Sequence, residues 1–137
     1  MDRLTVVHQY DPETGFIVAQ ETVGLPPVIA DAPRLDDAIE SAGDATVVIA
    51  FATADRCAPC QQYKRDALNH PDVVAELSSE HFLATHVEVD RDPDIADTFL
   101  GNRAIPMTYA LRDGEVVATL RGQRSAAELM AWLGSVH

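Results

Sequence analysis

A chain of 137 residues can bury the core of one ordinary domain, and 47% hydrophobic residues exclude a disordered one. The formal net charge of −12 argues against nucleic acid and anionic membrane surfaces as partners. No apolar run approaches the roughly 18–20 residues of a membrane helix. The opening Met1-Asp2-Arg3-Leu4 does not read as a secretory signal, so a cytoplasmic setting is the expectation.

The first 34 residues read as an extension. Leu4–His8 and Phe16–Ala19 are short strand patterns around a turn sequence, Asp11-Pro12-Glu13-Thr14-Gly15, which predicts a small hairpin. Gly24-Leu25-Pro26-Pro27 reads as a break and linker. From residue 35 the chain reads as one domain. Leu35, Ala38, Ile39 and Ala42 recur at helical spacing, with Gly43 placed as a helix C-cap.

Thr46–Ala52 is continuously apolar and rich in β-branched residues, as a central parallel strand buried on both faces would be. Cys57-Ala58-Pro59-Cys60 follows a short loop, and these are the only two cysteines. Asp55 or Thr53 is expected to cap the helix that begins there. Residues i and i+3 on a first helical turn lie on one face, at a separation that suits a disulfide's Cα–Cα span of roughly 4.4–6.8 Å. The positive end of the helix dipole favours a thiolate at that place. The pair can therefore close into a disulfide and reopen.

The helix after the motif breaks at Leu68-Asn69-His70-Pro71, and Asp72–Leu77 forms another. His81–Val89 is a second strand, Asp90–Asp94 a turn, and Ile95–Leu100 a helix ended by Gly101. Ala104–Leu111 enters a third strand with Pro106 at its edge. Asp113-Gly114 turns it into a fourth, Glu115–Leu120. Ser125 and Glu128 form a capping box for a last helix carrying Leu129, Met130, Trp132, Leu133 and Val136. Alternation of this kind makes an α/β sandwich whose last strand pair is antiparallel. Trp132, Tyr63 and Phe51 read as core residues.

Several separated features, in order, resemble the thioredoxin family over residues 35–137. They are the buried strand before Cys57-Ala58-Pro59-Cys60, the strand end Val87-Glu88-Val89-Asp90, and the segment Arg103-Ala104-Ile105-Pro106-Met107. The hairpin around Asp113-Gly114 and Gly122 before the last helix complete the set. The run Asp66–Leu77 is similar to the subgroup that contains the C-terminal domain of the bacterial transmembrane thiol reductases. The resemblance implies a thioredoxin-like three-layer α/β/α sandwich with a mixed sheet, to which the N-terminal strand or hairpin is added. It implies a thiol–disulfide oxidoreductase in which Cys57 attacks and Cys60 resolves, with no cofactor beyond the redox-active disulfide. It also implies a cis peptide at Ile105–Pro106, whose backbone edge pairs with a substrate's extended chain. Gly122 gives backbone room beside it.

The expected partners are a disulfide-containing protein substrate and an upstream thiol reductase or dithiol donor. Pro59 after Ala58 resembles the reducing members. Three departures stand out: Arg56 replaces the family's usual Trp, Ala50 stands where a buried acid is common, and His86 where a lysine often pairs with it. The expectation is that His86 or Asp55 partly replaces the missing proton relay, the alternative being a solvent-facing His86. Arg56 is expected to help lower the thiol pKa. A non-catalytic thioredoxin-like binding module is the alternative function, and a metal-binding cysteine pair a less favoured one. His70, His81 and His86 are not spaced as a second ligand pair.

Overall fold

The structure, a computed structural model, describes residues 4–10 and 17–137. The expected turn Asp11–Gly15 and the start of its second strand at Phe16 lie outside the described residues. The flanking segments are strands, β1 (Leu4–Tyr10) and β2 (Ile17–Val23). They pair antiparallel, Leu4 opposite Val23 and Tyr10 opposite Ile17, as a sheet separate from the main one.

The main sheet holds β3 (Val47–Thr53), β4 (Phe82–Glu88), β5 (Met107–Arg112) and β6 (Glu115–Arg121), in the order β4-β3-β5-β6. β3 runs parallel to β4 and antiparallel to β5, and β6 completes an antiparallel edge. The helices are α1 (Pro27–Ala30), α2 (Leu35–Ser41), α3 (Ala58–Tyr63), α4 (Pro71–Leu77), α5 (Pro93–Ile95) and α6 (Ala126–Val136).

All seven residues of β3 are buried, which explains its unbroken apolar run. Side chains alternate across a strand. Val47, Ile49 and Phe51 pack with Tyr63, Val73, Leu77, Leu129 and Leu133 from α3, α4 and α6, and with Leu68 from the turn after α3. Val48, Ala50 and Ala52 pack with Leu35, Ala38, Ala96 and Leu100 from the α2 and α5 side. One strand thus supplies the middle layer of a three-layer sandwich.

The segment read as a linker is part of the core. Leu25 and Ile29 are buried in the same cluster as Phe51 and Tyr63, and Pro27 opens a one-turn helix. Turn residues suggested a break, but apolar Leu25 and Ile29 found a place in the main core, with α1 against β4. Gly43 does not cap α2 in a left-handed conformation. Ala42 ends the helix in extended backbone, its N–H donating to Ala38 O. The Asp113-Gly114 turn does need positive φ, 52° and 79°, which is the two-residue hairpin geometry that Asp-Gly favours. The capping box at Ser125 and Glu128 is present in both directions.

Two helices end in a wider turn. Asn69 N–H donates to Lys64 O, five residues back, and Gly101 N–H donates to Ala96 O in the same way. Such widened turns are rare and often sit at functional sites. Among the described residues, no helix is long and apolar enough to cross a membrane.

Candidate active site

α3 begins where β3 leaves the sheet, so its N-terminus stands at the carboxyl end of the central strand. Pro59 lies within the first turn, where its fixed φ and missing N–H do no harm. The cap is Cys57 itself, not Asp55 or Thr53: the Cys57 Sγ accepts a hydrogen bond from the Cys60 N–H at 3.1 Å. Thr53 and Asp55 are engaged elsewhere, as described below. A helix N-terminus offers unsatisfied N–H groups, and here a sulfur takes one of them.

Cys57 and Cys60 form a disulfide with Cα atoms 5.2 Å apart. Their exposures differ. Cys60 is fully buried, whereas Cys57 is half-buried and packs at the edge of the cluster that also holds Ile105. The Ile105–Pro106 peptide is cis. Met107, the next residue, pairs with Ala52, so Pro106 and the loop that carries Cys57 share one end of the sheet. Gly122 N–H donates to Pro106 O at 2.9 Å, which ties the third loop to the second. Gly122 has φ 81° with open space around it, a conformation that glycine adopts without steric penalty.

Arg56 lies beside Cys57, but its guanidinium forks onto the Asp90 carboxylate, Nε to Oδ2 at 2.7 Å and Nη2 to Oδ1 at 3.2 Å. The Asp90 hydrogen bond and charge hold the Arg56 pKa above its usual value. Its charge is therefore largely answered by Asp90, which weakens the expected push on the Cys57 thiol. Asp55 is paired with Arg91.

His86 is half-buried on β4, with Nε2 2.6 Å from the Thr53 hydroxyl. It does not face solvent. Burial, reinforced by the nearby Lys64 charge, lowers its pKa to about 4. The ring is thus neutral at neutral pH and locked against Thr53. The strand register sets Phe51 opposite His86 and Thr85 opposite Ala50. A residue facing α3 beside His86 is therefore Phe51, and the position matched to Ala50 points to the other face.

Four residues at this site were not singled out for it in the sequence. Gln61, immediately after Cys60, is buried. Its Nε2 donates to Ala54 O at 3.3 Å and Asp55 O at 3.2 Å, while its Oε1 accepts from Val23 N–H at 2.8 Å. One amide thus fixes the loop before Cys57 and anchors the end of β2 to it. Asn69 repeats the device, donating to Gly24 O at 2.8 Å. Glu88 is buried, and its carboxylate accepts from the N–H groups of Asp55, Asp90 and Arg91 at 2.9, 2.8 and 2.8 Å. That clamps the cysteine loop to the turn after β4. Lys64, the chain's single lysine, is only 2% exposed. Its rarity among ten basic residues reads in sequence as arginine preference, and nothing there points it inward. Among the described residues, no set of three or more His, Cys, Asp or Glu side chains converges as metal ligands would.

A family model of a thioredoxin-like domain matches residues 35–137. No curated protein matches the chain. A thioredoxin from Thermus thermophilus is 26% identical, with a TM-score of 0.63 over 75% of this chain and 83% of that one. A mutant thioredoxin from Halobacterium salinarum is 27% identical, with a TM-score of 0.58 over 79% of this chain and 93% of its own. The thioredoxin of Fasciola hepatica, at 19% identity and a TM-score of 0.59, shares the fold over 75% of this chain and 91% of that one. The chain belongs to the thioredoxin-like family. That fold, with Cys57 and Cys60 at disulfide distance, supports thiol–disulfide oxidoreductase chemistry on disulfide-containing substrates.

Proposed function

We propose that the protein reduces disulfides in other proteins, with Cys57 as nucleophile and Cys60 as resolving thiol. The observation that carries this reading is the asymmetry of the pair. Cys57 caps the helix, accepts a backbone N–H and is partly open, while Cys60 is fully buried behind it. A thiol with pKa near 8.5 is about 3% thiolate at pH 7, and a drop of about 1.5 units makes it half thiolate. The hydrogen bond and the helix dipole both act in that direction.

The reduced pair would act in two exchanges. The Cys57 thiolate attacks one sulfur of the substrate disulfide, forming a mixed disulfide and expelling the other substrate sulfur as a thiolate, which takes a proton. The Cys60 thiolate then attacks Cys57 Sγ. The mixed disulfide breaks, the second substrate sulfur leaves as a thiolate, and the Cys57–Cys60 disulfide forms. Two electrons pass to the substrate, and an upstream thiol reductase or small dithiol must return them. Reduction needs a compartment poised to keep the dithiol open, and the cytoplasm is the setting that fits.

A substrate chain would lie in extended form along the Ile105–Pro106 edge, with Gly122 leaving room on its far side. The Gly122–Pro106 hydrogen bond and the shared sheet end support that placement. The test is catalysed reduction of insulin by dithiothreitol, followed as precipitation of the free chains. The proposal expects turnover in the wild type and none after Cys57→Ser. A wild type no faster than dithiothreitol alone, bound to a disulfide protein with or without Cys57, would favour a binding module.

A further inference from the structure

We propose that Lys64 holds the buried sulfur of Cys60 in its thiolate form, a positioning residue behind the dithiol. The inference rests on the dithiol reading above and goes beyond it.

Cys60 and Lys64 are four residues apart on one continuous helical run, so their side chains share a face, with Cβ atoms about 5–6 Å apart. Both point inward, Cys60 at 0% and Lys64 at 2% exposure. The helix widens at Lys64, whose carbonyl accepts from Asn69 N–H at 3.1 Å and Asn69 Nδ2 at 3.0 Å. That carbonyl is thus fixed, and with it the place from which the side chain departs. A buried ammonium is expensive unless an anion answers it. The chain carries arginine at every other basic position and its one lysine here.

The groups around it come from several elements. Asp55 in the loop before α3 is paired with Arg91. Glu88 on β4 already receives three backbone N–H groups. His86, also on β4, is held against Thr53 of β3. Tyr63, beside Lys64 on the helix, shares a hydrogen bond with Thr108 of β5. The two carboxylates raise the Lys64 pKa, while burial, the largest influence, lowers it. Both carboxylates are committed to other donors. When the disulfide opens, a thiolate at Cys60 becomes a new anion on the face where Lys64 lies. In the closed disulfide that anion is absent. Lys64 therefore favours the open dithiol and its resolving thiolate.

The experiment titrates reduced full-length protein by thiolate absorbance at 240 nm. Lys64→Met should raise the upper of the two transitions by about one unit, since a charge at such range is worth at least that much near a protein surface. Lys64→Arg, which keeps the charge, should stay with the wild type. A thiol made more basic is less ionised but more nucleophilic, so resolution of a mixed disulfide at pH 7 should slow about threefold in Lys64→Met. Lys64→Gln gives the same reading should the Met variant not fold. An unmoved upper transition in the neutral variants, with a wild type that turns over insulin, overturns the Lys64 assignment alone. A wild type that neither titrates below pH 8.5 nor turns over insulin overturns the dithiol reading itself.

Discussion

Stability should fall on mild acidification through one residue, His86. Its ring is half-buried against Thr53, and burial brings its pKa from 6.5 to about 4. In the unfolded chain the ring takes a proton near pH 6.5, while in the folded protein it resists until about pH 4. Between those values the unfolded state binds more protons, so stability rises with pH and is lost as pH falls. A shift of about 2.5 units at 1.36 kcal/mol each gives a ceiling of about 3 kcal/mol. Below about pH 4 the folded ring is also protonated, and His86 adds no further loss. His86→Gln keeps a hydrogen-bonding partner for Thr53 and removes the titration. The measurement is urea unfolding of the oxidised protein at about pH 7, 5.5 and 4, wild type against variant. The other histidines and the carboxylates are common to both and cancel. The wild type should lose about 2–3 kcal/mol more than His86→Gln over this window. Parallel losses in the two proteins would refute the reasoning.

The remaining predictions concern the segment before α2, the loop that carries Cys57 and the cap of α6. Ile29→Ala should cost about 2–5 kcal/mol, because Ile29 is 1% exposed in the main core, and thermal unfolding reads it directly. A loss under about 1 kcal/mol would mean that residues 23–34 are not docked. Gln61→Leu leaves the Val23 N–H without its buried acceptor and should cost about 1–3 kcal/mol. Hydrogen exchange at Val23 should then speed up sharply, whereas unchanged protection would show that another group replaces the amide. Ser125→Ala removes the α6 cap and should cost about 1 kcal/mol, with no change in thiol chemistry. A change in the thiolate titration of that variant would contradict a purely local role for the cap.

The order of elements was legible because local signals agreed with the global fold. An apolar run had to be the doubly covered strand, Asp113-Gly114 had to be a tight turn, and Ser125 with Glu128 had to open a helix. The cysteine pair was legible because its spacing at a helix start allows a disulfide, and the structure has one there. What stayed hidden depended on which way side chains face. Gly24-Leu25-Pro26-Pro27 carries turn residues, yet Leu25 is in the core, because tertiary packing overrides punctuation. The cap at Cys57 was missed because oxygen-bearing Thr53 and Asp55 are the usual candidates. Both are used by His86 and Arg91, more than thirty positions away in sequence. The step from Ala50 to Phe51 is a register matter: one residue along a strand reverses the face. Gln61, Lys64 and Glu88 look like surface residues in sequence, and only the packing of the loop, helix and strand turns them inward.

On the proposed mechanism Cys57, and not Cys60, meets the substrate. Reduced Cys60→Ser protein mixed with a disulfide-containing protein should accumulate a covalent adduct, and peptide mapping should find it on Cys57. The matching Cys57→Ser protein, with only the buried Cys60 left, should trap little or none. An adduct forming equally well on Cys60, or on neither sulfur, would contradict the account.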